Sequence, residues 1–184
     1  MSEKIMIASD IHGSAFWCEK LLEAYRKEAP STLVLLGDLL YHGPRNPLPD
    51  GYAPQTVASL LNGVKENLLC VRGNCDSEVD QMLLEFPMLA DYAMFKTAGK
   101  TLFLTHGHLF NSENCPALPN GAAILNGHFH VPAHKTANGG AAYINCGSVS
   151  LPKDGTPHSY LLFKAGTFVW KDLATDGEFD RFTL

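Results

Sequence analysis

The feature that most constrains the fold is a short apolar run that stops at a glycine and a carboxylate. Residues 32–36 read Thr-Leu-Val-Leu-Leu, and Gly37 and Asp38 follow directly. A buried strand ends in this way when it delivers a charged side chain to the edge of a sheet. Four further stretches end alike, with glycine beside Asp, Asn or His: 5–13, 68–76, 102–108 and 122–130. We therefore predict that the five run ends meet at one site.

The run ends carry oxygen and nitrogen side chains of the kind that bind divalent cations. The candidate metal ligands are Asp10, His12, Asp38, Asn74, His106, His128 and His130. Because a carboxylate has two oxygens, Asp38 can bridge two metals, and the seven side chains then give four ligands to each metal. Two metals roughly 3.5–4 Å apart can activate a hydroxide and hold a phosphoryl group for in-line attack.

The order of predicted elements indicates an α/β fold. The first half alternates strands with helices: strands 4–9, 32–36 and 68–71, and helices 14–29, 55–66 and 77–85. Such alternation implies a parallel sheet that binds ligands at the carboxyl ends of its strands. The second half predicts short strands at 92–97, 100–105, 124–126, 141–145, 159–164 and 167–172, with tight turns at 98–99 and 165–166. We expect a second sheet packed face to face on the first, with helices outside.

Length and charge limit the classes of function. The 184 residues predict a single domain spanning 1–184, and the net charge of -5 argues against a nucleic-acid partner. An anionic substrate stays compatible, because two dications outweigh the site's two carboxylates. Five cysteines without a CxxC motif predict free thiols and a cytoplasmic location. We expect no signal sequence and no membrane segment, because no apolar run approaches roughly 20 residues.

The ordered motifs resemble those of the calcineurin-like metallophosphoesterases. They are Asp10-x-His12, Gly37-Asp38, Gly73-Asn74, His106-Gly107 and Gly127-His128-x-His130. Over essentially its full length the chain is similar to the small bacterial YfcE-type phosphodiesterases of that superfamily, a group related to the Vps29 proteins. The resemblance implies a four-layer α/β/β/α sandwich of two packed mixed β-sheets flanked by helices (the metallophosphoesterase fold).

The resemblance also implies two divalent metal ions and assigns their ligands. One metal would be held by Asp10, His12, Asp38 and His130, and the other by Asp38, Asn74, His106 and His128. Manganese is the expected metal, with Zn2+, Fe2+, Ni2+ and Mg2+ as alternatives.

Two residues depart from the pattern of the relatives. Many relatives carry a histidine, assigned to protonate the leaving group, where this chain has Cys75. A thiol, with an ordinary pKa of about 8.5, is a weaker candidate for that task. We therefore expect either a substrate whose leaving group needs little help or another acid, such as His108. Phe129 replaces a threonine between two ligands and is expected to harden the pocket wall without disturbing coordination.

Further residues are candidates with structural alternatives. Arg45, in the proline-rich loop 41–54, could bind a phosphate bidentately or be a solvated arginine. Arg72 could bind phosphate or form a salt bridge, and His42 is a substrate contact or a loop residue.

The catalytic candidates are Asp38, Asn74, His108 and Cys75. His108 either supports a ligand or donates a proton, and Cys75 lines the pocket or packs inertly. Asp76 either orients a ligand or caps a helix, and the default role of Ser148 is to turn the backbone.

These observations predict a metal-dependent phosphoesterase acting on a small phosphoester. Phosphodiesters come ahead of monoesters, because the usual histidine acid is missing. The alternative is a non-catalytic, Vps29-like protein-binding scaffold, against which the full set of seven ligands argues. The oligomeric state stays open, with a homo-oligomer as one alternative.

Overall fold

The fold is built from two mixed β-sheets packed face to face. The computed structural model describes residues 3–184. The strands in that range are β1 (Lys4–Ala8), β2 (Thr32–Leu35), β3 (Leu68–Cys70), β4 (Tyr92–Thr97), β5 (Lys100–Thr105), β6 (Ala123–Asn126), β7 (Ala133–Thr136), β8 (Ala142–Asn145), β9 (Ser159–Lys164), β10 (Thr167–Asp172) and β11 (Glu178–Thr183). The helices are α1 (Ala15–Glu28), α2 (Pro54–Asn62) and α3 (Glu78–Leu83), with a 3-10 turn at Lys65–Asn67.

Both sheets combine parallel and antiparallel pairs. The first has the strand order β11-β10-β9-β1-β2-β3, and the second has the order β4-β5-β6-β8-β7. In the first sheet β1, β2 and β3 are parallel, and in the second β5, β6 and β8 are parallel. The predicted α/β class with two packed mixed sheets is confirmed. None of the helices described in residues 3–184 is long and apolar enough to span a bilayer.

One large core lies between the two sheets and another between the first sheet and the helices, and strand alternation explains how they form. Along β1, Ile5 and Ile7 face the second sheet, whereas Met6 and Ala8 face the helices. This alternation is the period of two that a β-strand imposes on its side chains. The outer face of the first sheet is covered by α1 and α2, so β1 and β2 are buried on both sides and read as continuous apolar runs.

The outer face of the second sheet has a different cover. Its small cluster of Phe103, Ile124 and Tyr143 is packed against side chains of the segment that links β5 to β6, such as Phe110 and Leu118. That segment is irregular in the described structure. The fourth layer of the sandwich is therefore formed on this side by a loop where we had expected helices.

Turns and strands with a clear local sequence pattern were predicted correctly, and edge strands without one were not. The predicted two-residue turns at 98–99 and 165–166 join β4 to β5 and β9 to β10, with both residues of each turn at positive φ. The predicted helix 55–66 is shorter, because it ends at Gly63 before the 3-10 turn. Strands β7 and β11 were missed, since both are edge strands with mostly exposed and polar residues.

We expect burial between the sheets to contribute strongly to stability. Leu104 on β5 is fully buried there, and Leu104→Ala should lower the free energy of unfolding by about 2–5 kcal/mol through lost burial and a cavity. Leu48 is 63% exposed, so Leu48→Ala is the matched control and should change stability by less than about 0.5 kcal/mol. Urea denaturation measures both variants, and equal losses would contradict this assignment of the core.

Candidate metal centre

The candidate site lies where parallel strands of both sheets end. The five predicted segments follow the carboxyl ends of β1, β2, β3, β5 and β6. The chain after β1 stays paired with the chain after β2, since the Asp10 and His12 amides donate to the Gly37 and Asp38 carbonyls at 3.1 and 2.9 Å. The structure brings all seven predicted ligands together, in two groups that share Asp38.

The first group is centred on the Asp10 carboxylate. Asp10 Oδ1 lies 3.2 Å from His130 Nε2 and 3.5 Å from His12 Nε2. The two Nε2 atoms are 3.3 Å apart, and His12 Nε2 is 3.7 Å from Asp38 Oδ2. All four side chains are buried, although the residues stand up to 120 positions apart in the chain.

The second group is built around His106. Its Nε2 lies 3.3 Å from Asp38 Oδ2, 3.1 Å from Asn74 Oδ1 and 3.2 Å from His128 Nδ1. The His128 amide donates to Asp10 Oδ2 at 2.9 Å, which ties the second group to the first. Asp38 therefore faces both groups through Oδ2, while its Oδ1 accepts the Cys75 amide at 2.8 Å.

Backbone carbonyls orient three of the four histidines. The Nδ1 atoms of His12, His106 and His130 lie 2.8, 2.7 and 2.6 Å from the carbonyls of Tyr41, Leu36 and Leu151. A neutral imidazole that donates Nδ1–H to a carbonyl keeps its Nε2 lone pair free. Each Nε2 therefore enters the cluster as a donor atom for a cation.

The backbone at the site is strained. Five of the seven predicted ligands have left-handed φ angles between 49° and 62°: Asp10, His12, Asp38, His128 and His130. Asp and His tolerate this region better than most residues, but it still stores energy that the surroundings must offset. Such a concentration of strained residues is typical of a functional site.

Two glycines allow the strand ends to approach one another. A Cβ at Gly73 would collide with the backbone and carboxylate of Asp38, and one at Gly127 would collide with Ser9 Oγ and Asp10 Oδ2. Any larger residue at either position would push a carboxylate out of the cluster. The glycines of the sequence motifs are thus required by close approach.

The Asp76 carboxylate holds two strand ends together. Its Oδ2 accepts the amides of Asp38 and Gly73 at 2.8 and 2.7 Å, and its Oδ1 accepts the Leu39 amide at 2.9 Å. The cap of α3 is a separate pair, in which the Ser77 amide donates to the Asp80 carboxylate at 2.7 Å. Of the two roles we considered for Asp76, this geometry is that of a residue orienting a ligand.

Burial and close charges shift the pKa values of the cluster. Burial alone would lower the pKa of His106, but the Asp10 and Asp38 carboxylates outweigh it and raise that pKa to about 9. Burial opposes the ionisation of Asp10, yet His106 with its other histidine neighbours holds the Asp10 pKa well below its ordinary value. His128 has a pKa lowered to about 4 by burial and by His106.

The donor set fits divalent metal ions. Asp10 Oδ1 is buried and has no hydrogen-bond partner among the described residues. The histidine nitrogens nearest to it carry no proton in the neutral tautomer that their carbonyl partners favour. A cation among these atoms would satisfy the orphaned oxygen and the free lone pairs together, and mixed carboxylate, amide and imidazole ligands suit transition metals.

An open cleft of about 380 Å³ lies over the cluster. Besides residues of the cluster, its lining includes Cys75, Arg45 and Lys153. The Cys75 Sγ is within 4.8 Å of donor atoms of His12 and Asp38. Burial, followed by the Asp38 charge, raises the pKa of Cys75 to about 12. The thiol therefore stays protonated at neutral pH.

The structure places three predicted residues outside the lining of this cleft. His42 packs edge-on against Tyr52, with ring centroids 5.3 Å apart. Arg72 lies 3.8 Å from Glu78, in the salt bridge that we considered as its alternative role. His108 is half-buried, and its ring centroid lies 5.5 Å from that of His106.

Sequence reasoning missed Lys153 and Ser150 at the site and gave Ser148 only a role in turning the backbone. Lys153 enters the cleft lining, and its amide donates to the His130 carbonyl at 3.1 Å. The Ser148 and Ser150 hydroxyls donate to the Asp10 carbonyl at 3.0 and 3.1 Å. The available signal was that Gly147 and Ser148 follow strand β8, as a glycine and a polar residue follow the other five strands.

Comparison with known proteins decides the family. Residues 4–167 match the Calcineurin-like phosphoesterase superfamily domain. Phosphodiesterase YfcE of Escherichia coli strain K12 is 52% identical over 157 residues, which cover 85% of each protein. The chain belongs to the calcineurin-like phosphoesterase superfamily. The resemblance predicted from the five motifs is thereby confirmed.

Solved structures of other proteins show the same architecture. A structure described as Yfce, a phosphoesterase from E. coli, superposes with a TM-score of 0.94 at 45% identity and covers 98% of both chains. A Vps29 from Entamoeba histolytica complexed with Zn2+ has a TM-score of 0.61 at 16% identity and covers 98% of both chains. The second likeness is one of fold alone.

We expect Asp76 to control the metal ligands without touching them. Asp76→Ala removes the acceptor for three backbone amides and frees the Asp38 segment, so metal affinity should fall by about ten- to a hundredfold. Asp50 is exposed, and Asp50→Ala is the control for loss of a carboxylate. Equilibrium titration with Mn2+ measures both variants. Wild-type affinity in Asp76→Ala would refute this role.

Proposed function

We propose that the protein is a phosphodiesterase that uses two divalent metal ions, manganese first among them. The observation that carries the proposal is the arrangement of seven donor side chains in two groups around one shared carboxylate, Asp38. The curated relatives at 52% identity are named as phosphodiesterases, which supports the same reaction class here.

The two groups suggest which residues hold each ion. Asp10, His12, Asp38 and His130 would hold one metal, and Asp38, Asn74, His106 and His128 would hold the other. When bound, such a pair supplies Lewis-acid activation of water and of a phosphoryl oxygen. The protein's part is to fix the donors, which it does through the carbonyl-bound histidines and the Asp76 carboxylate.

Arg45 and Lys153 complement an anionic substrate. Both line the cleft above the cluster, and neither forms an ion pair among the described residues. A guanidinium can grip two phosphoryl oxygens at once, and an ammonium acts as a point charge. We assign them to substrate binding.

The protein offers a weak acid for the leaving group. The Cys75 thiol lies at the cluster but, with its pKa raised to about 12, releases its proton reluctantly. His108 has a lowered pKa, because of burial and then the charge of His106, and lies outside the cleft lining. These two observations favour a substrate whose alcohol leaves without strong protonation.

A protein-binding role draws support from one surface feature. Helix α3 exposes apolar side chains, with Val79 65%, Met82 83% and Leu83 46% accessible. Such a patch is typical of a contact surface. The donor cluster nonetheless favours catalysis as the main function. The five free thiols favour a reducing, cytoplasmic environment.

The test is a metal-reconstituted assay with matched substrates. Metal-stripped protein is titrated with Mn2+ and assayed on bis-p-nitrophenyl phosphate and p-nitrophenyl phosphate. We expect metal-dependent cleavage that prefers the diester, and collapse of activity in Asp38→Asn. Preference for the monoester would overturn the diester assignment, and near-normal turnover of Asp38→Asn would overturn the shared role of Asp38.

We also expect metal uptake to release protons. In the metal-free protein the His106 pKa is about 9, so at pH 7 its ring is charged and must lose a proton to bind metal. Affinity for Mn2+ should therefore rise with pH, by about tenfold per unit for one proton, and level off near the pKa of His106. Chelator competition between pH 6 and 9 measures it. His134→Gln, at an exposed histidine, should keep the same slope, and a flat profile would contradict the assignment.

A further inference from the structure

Phe129 is an exposed aromatic ring held at the edge of the cleft. The side chain is 45% exposed although it stands between two buried or half-buried histidines. Both His128 and His130 have φ angles of 62°, and the Phe129 amide donates to the Gly127 carbonyl at 2.7 Å. Because the same segment carries two residues of the cluster, the backbone that presents this ring is fixed relative to the cluster.

The ring separates two adjoining cavities. On one side it lines the cleft over the donor cluster. On the other it lines a second cavity of about 400 Å³, here called the side pocket, together with Asn111, Ser112, Ala133, Lys135 and Tyr143. A molecule with its phosphoryl group in the cleft can therefore extend across Phe129 into the side pocket.

The chemistry of the side pocket suits a flat apolar group. Its lining includes the buried Tyr143 ring, whose hydroxyl accepts a hydrogen bond from Asn145 Nδ2 at 3.0 Å. The Lys135 ammonium lies 5.3 Å from the centroid of that ring. Ala133 and Val131 add apolar side chains to the lining, and Glu113 adds a charge of the sign opposite to that of Lys135. Aromatic and aliphatic walls with some polar groups are typical of small-molecule sites.

We propose that Phe129 is a specificity-determining residue that selects phosphodiesters with an aromatic ester group. The ester ring lies against Phe129 and enters the side pocket, while the phosphoryl group faces the cluster, Arg45 and Lys153. This inference rests on the proposed phosphodiesterase function and names its substrate class. The reason is energetic: a ring on Phe129 gains stacking and burial that a small alkyl group cannot match.

Binding of two diesters with poor leaving groups tests the inference by a readout other than turnover. Affinities of the manganese-loaded protein for diphenyl phosphate and diethyl phosphate are measured by calorimetry. We expect the wild type to favour the diphenyl ester by about tenfold or more, and Phe129→Thr to remove most of that preference. Phe129→Tyr keeps the ring and is the matched control, so it should retain the preference.

A second variant distinguishes loss of the ring contact at Phe129 from an indirect effect through a disturbed metal centre. Ala133→Leu fills the side pocket from strand β7 and touches none of the seven donor residues, so it should weaken diphenyl binding and spare diethyl binding. Metal content is measured for each variant and should match the wild type. An unchanged ratio of the two affinities in Phe129→Thr, or equal weakening of both esters, overturns the inference.

Failure of the Phe129 inference can be told apart from failure of the proposed phosphodiesterase function. Absence of metal-dependent turnover of bis-p-nitrophenyl phosphate by the wild type defeats the phosphodiesterase itself. If turnover is intact and Phe129→Thr leaves the ratio of diphenyl to diethyl phosphate affinity unchanged, only the role of Phe129 in selecting aromatic esters is refuted.

Discussion

The site depends on one buried carboxylate that accepts three backbone amides. Asp76 joins the amides of Asp38 and Leu39, after β2, to that of Gly73, after β3. Burial, with the Asp38 charge, raises its pKa to about 6, so placing this negative charge beside another is costly. The three charge-assisted hydrogen bonds offset part of that cost. The result is a fixed position for Asp38, on which both donor groups depend.

Bringing so many candidate ligands together strains the backbone at the strand ends. Residues held in the left-handed region cost of the order of 1–3 kcal/mol each. The structure holds Asp10 in this region through its carbonyl, which accepts the Ser148 and Ser150 hydroxyls, and through an oxygen that accepts the His128 amide. The end of β8 thus supports a residue at the end of β1. The apolar core between the sheets fixes those ends at the same edge.

The net charge of the protein is negative, whereas the site would become locally positive with cations bound. The protein carries a formal charge of -5, and its cluster contains two buried carboxylates whose pKa values are both lowered by histidines. Cations bound there would reverse the local sign, and Arg45 and Lys153 add to it at the cleft. An acidic protein can in this way attract a phosphoester without binding nucleic acid by charge alone.

The sequence by itself determined the strand ends and the chemistry they carry. Apolar runs closed by glycine and Asp, Asn or His predicted where β1, β2, β3, β5 and β6 end, because burial on both faces leaves a local pattern. It also predicted both tight hairpins, whose turns need residues that tolerate positive φ. These features depend on neighbours in the chain, so they can be read from it.

Only the tertiary structure decided which loops meet. It set Asp10 beside His130, placed Lys153 with Arg45 in the cleft lining, and left His42, Arg72 and His108 outside it. It also gave Asp76 its three amides and Ser148 its carbonyl partner. These outcomes follow from the order of strands in each sheet and from the packing of one sheet on the other. Both are long-range pairings, and local sequence periodicity carries no information about them.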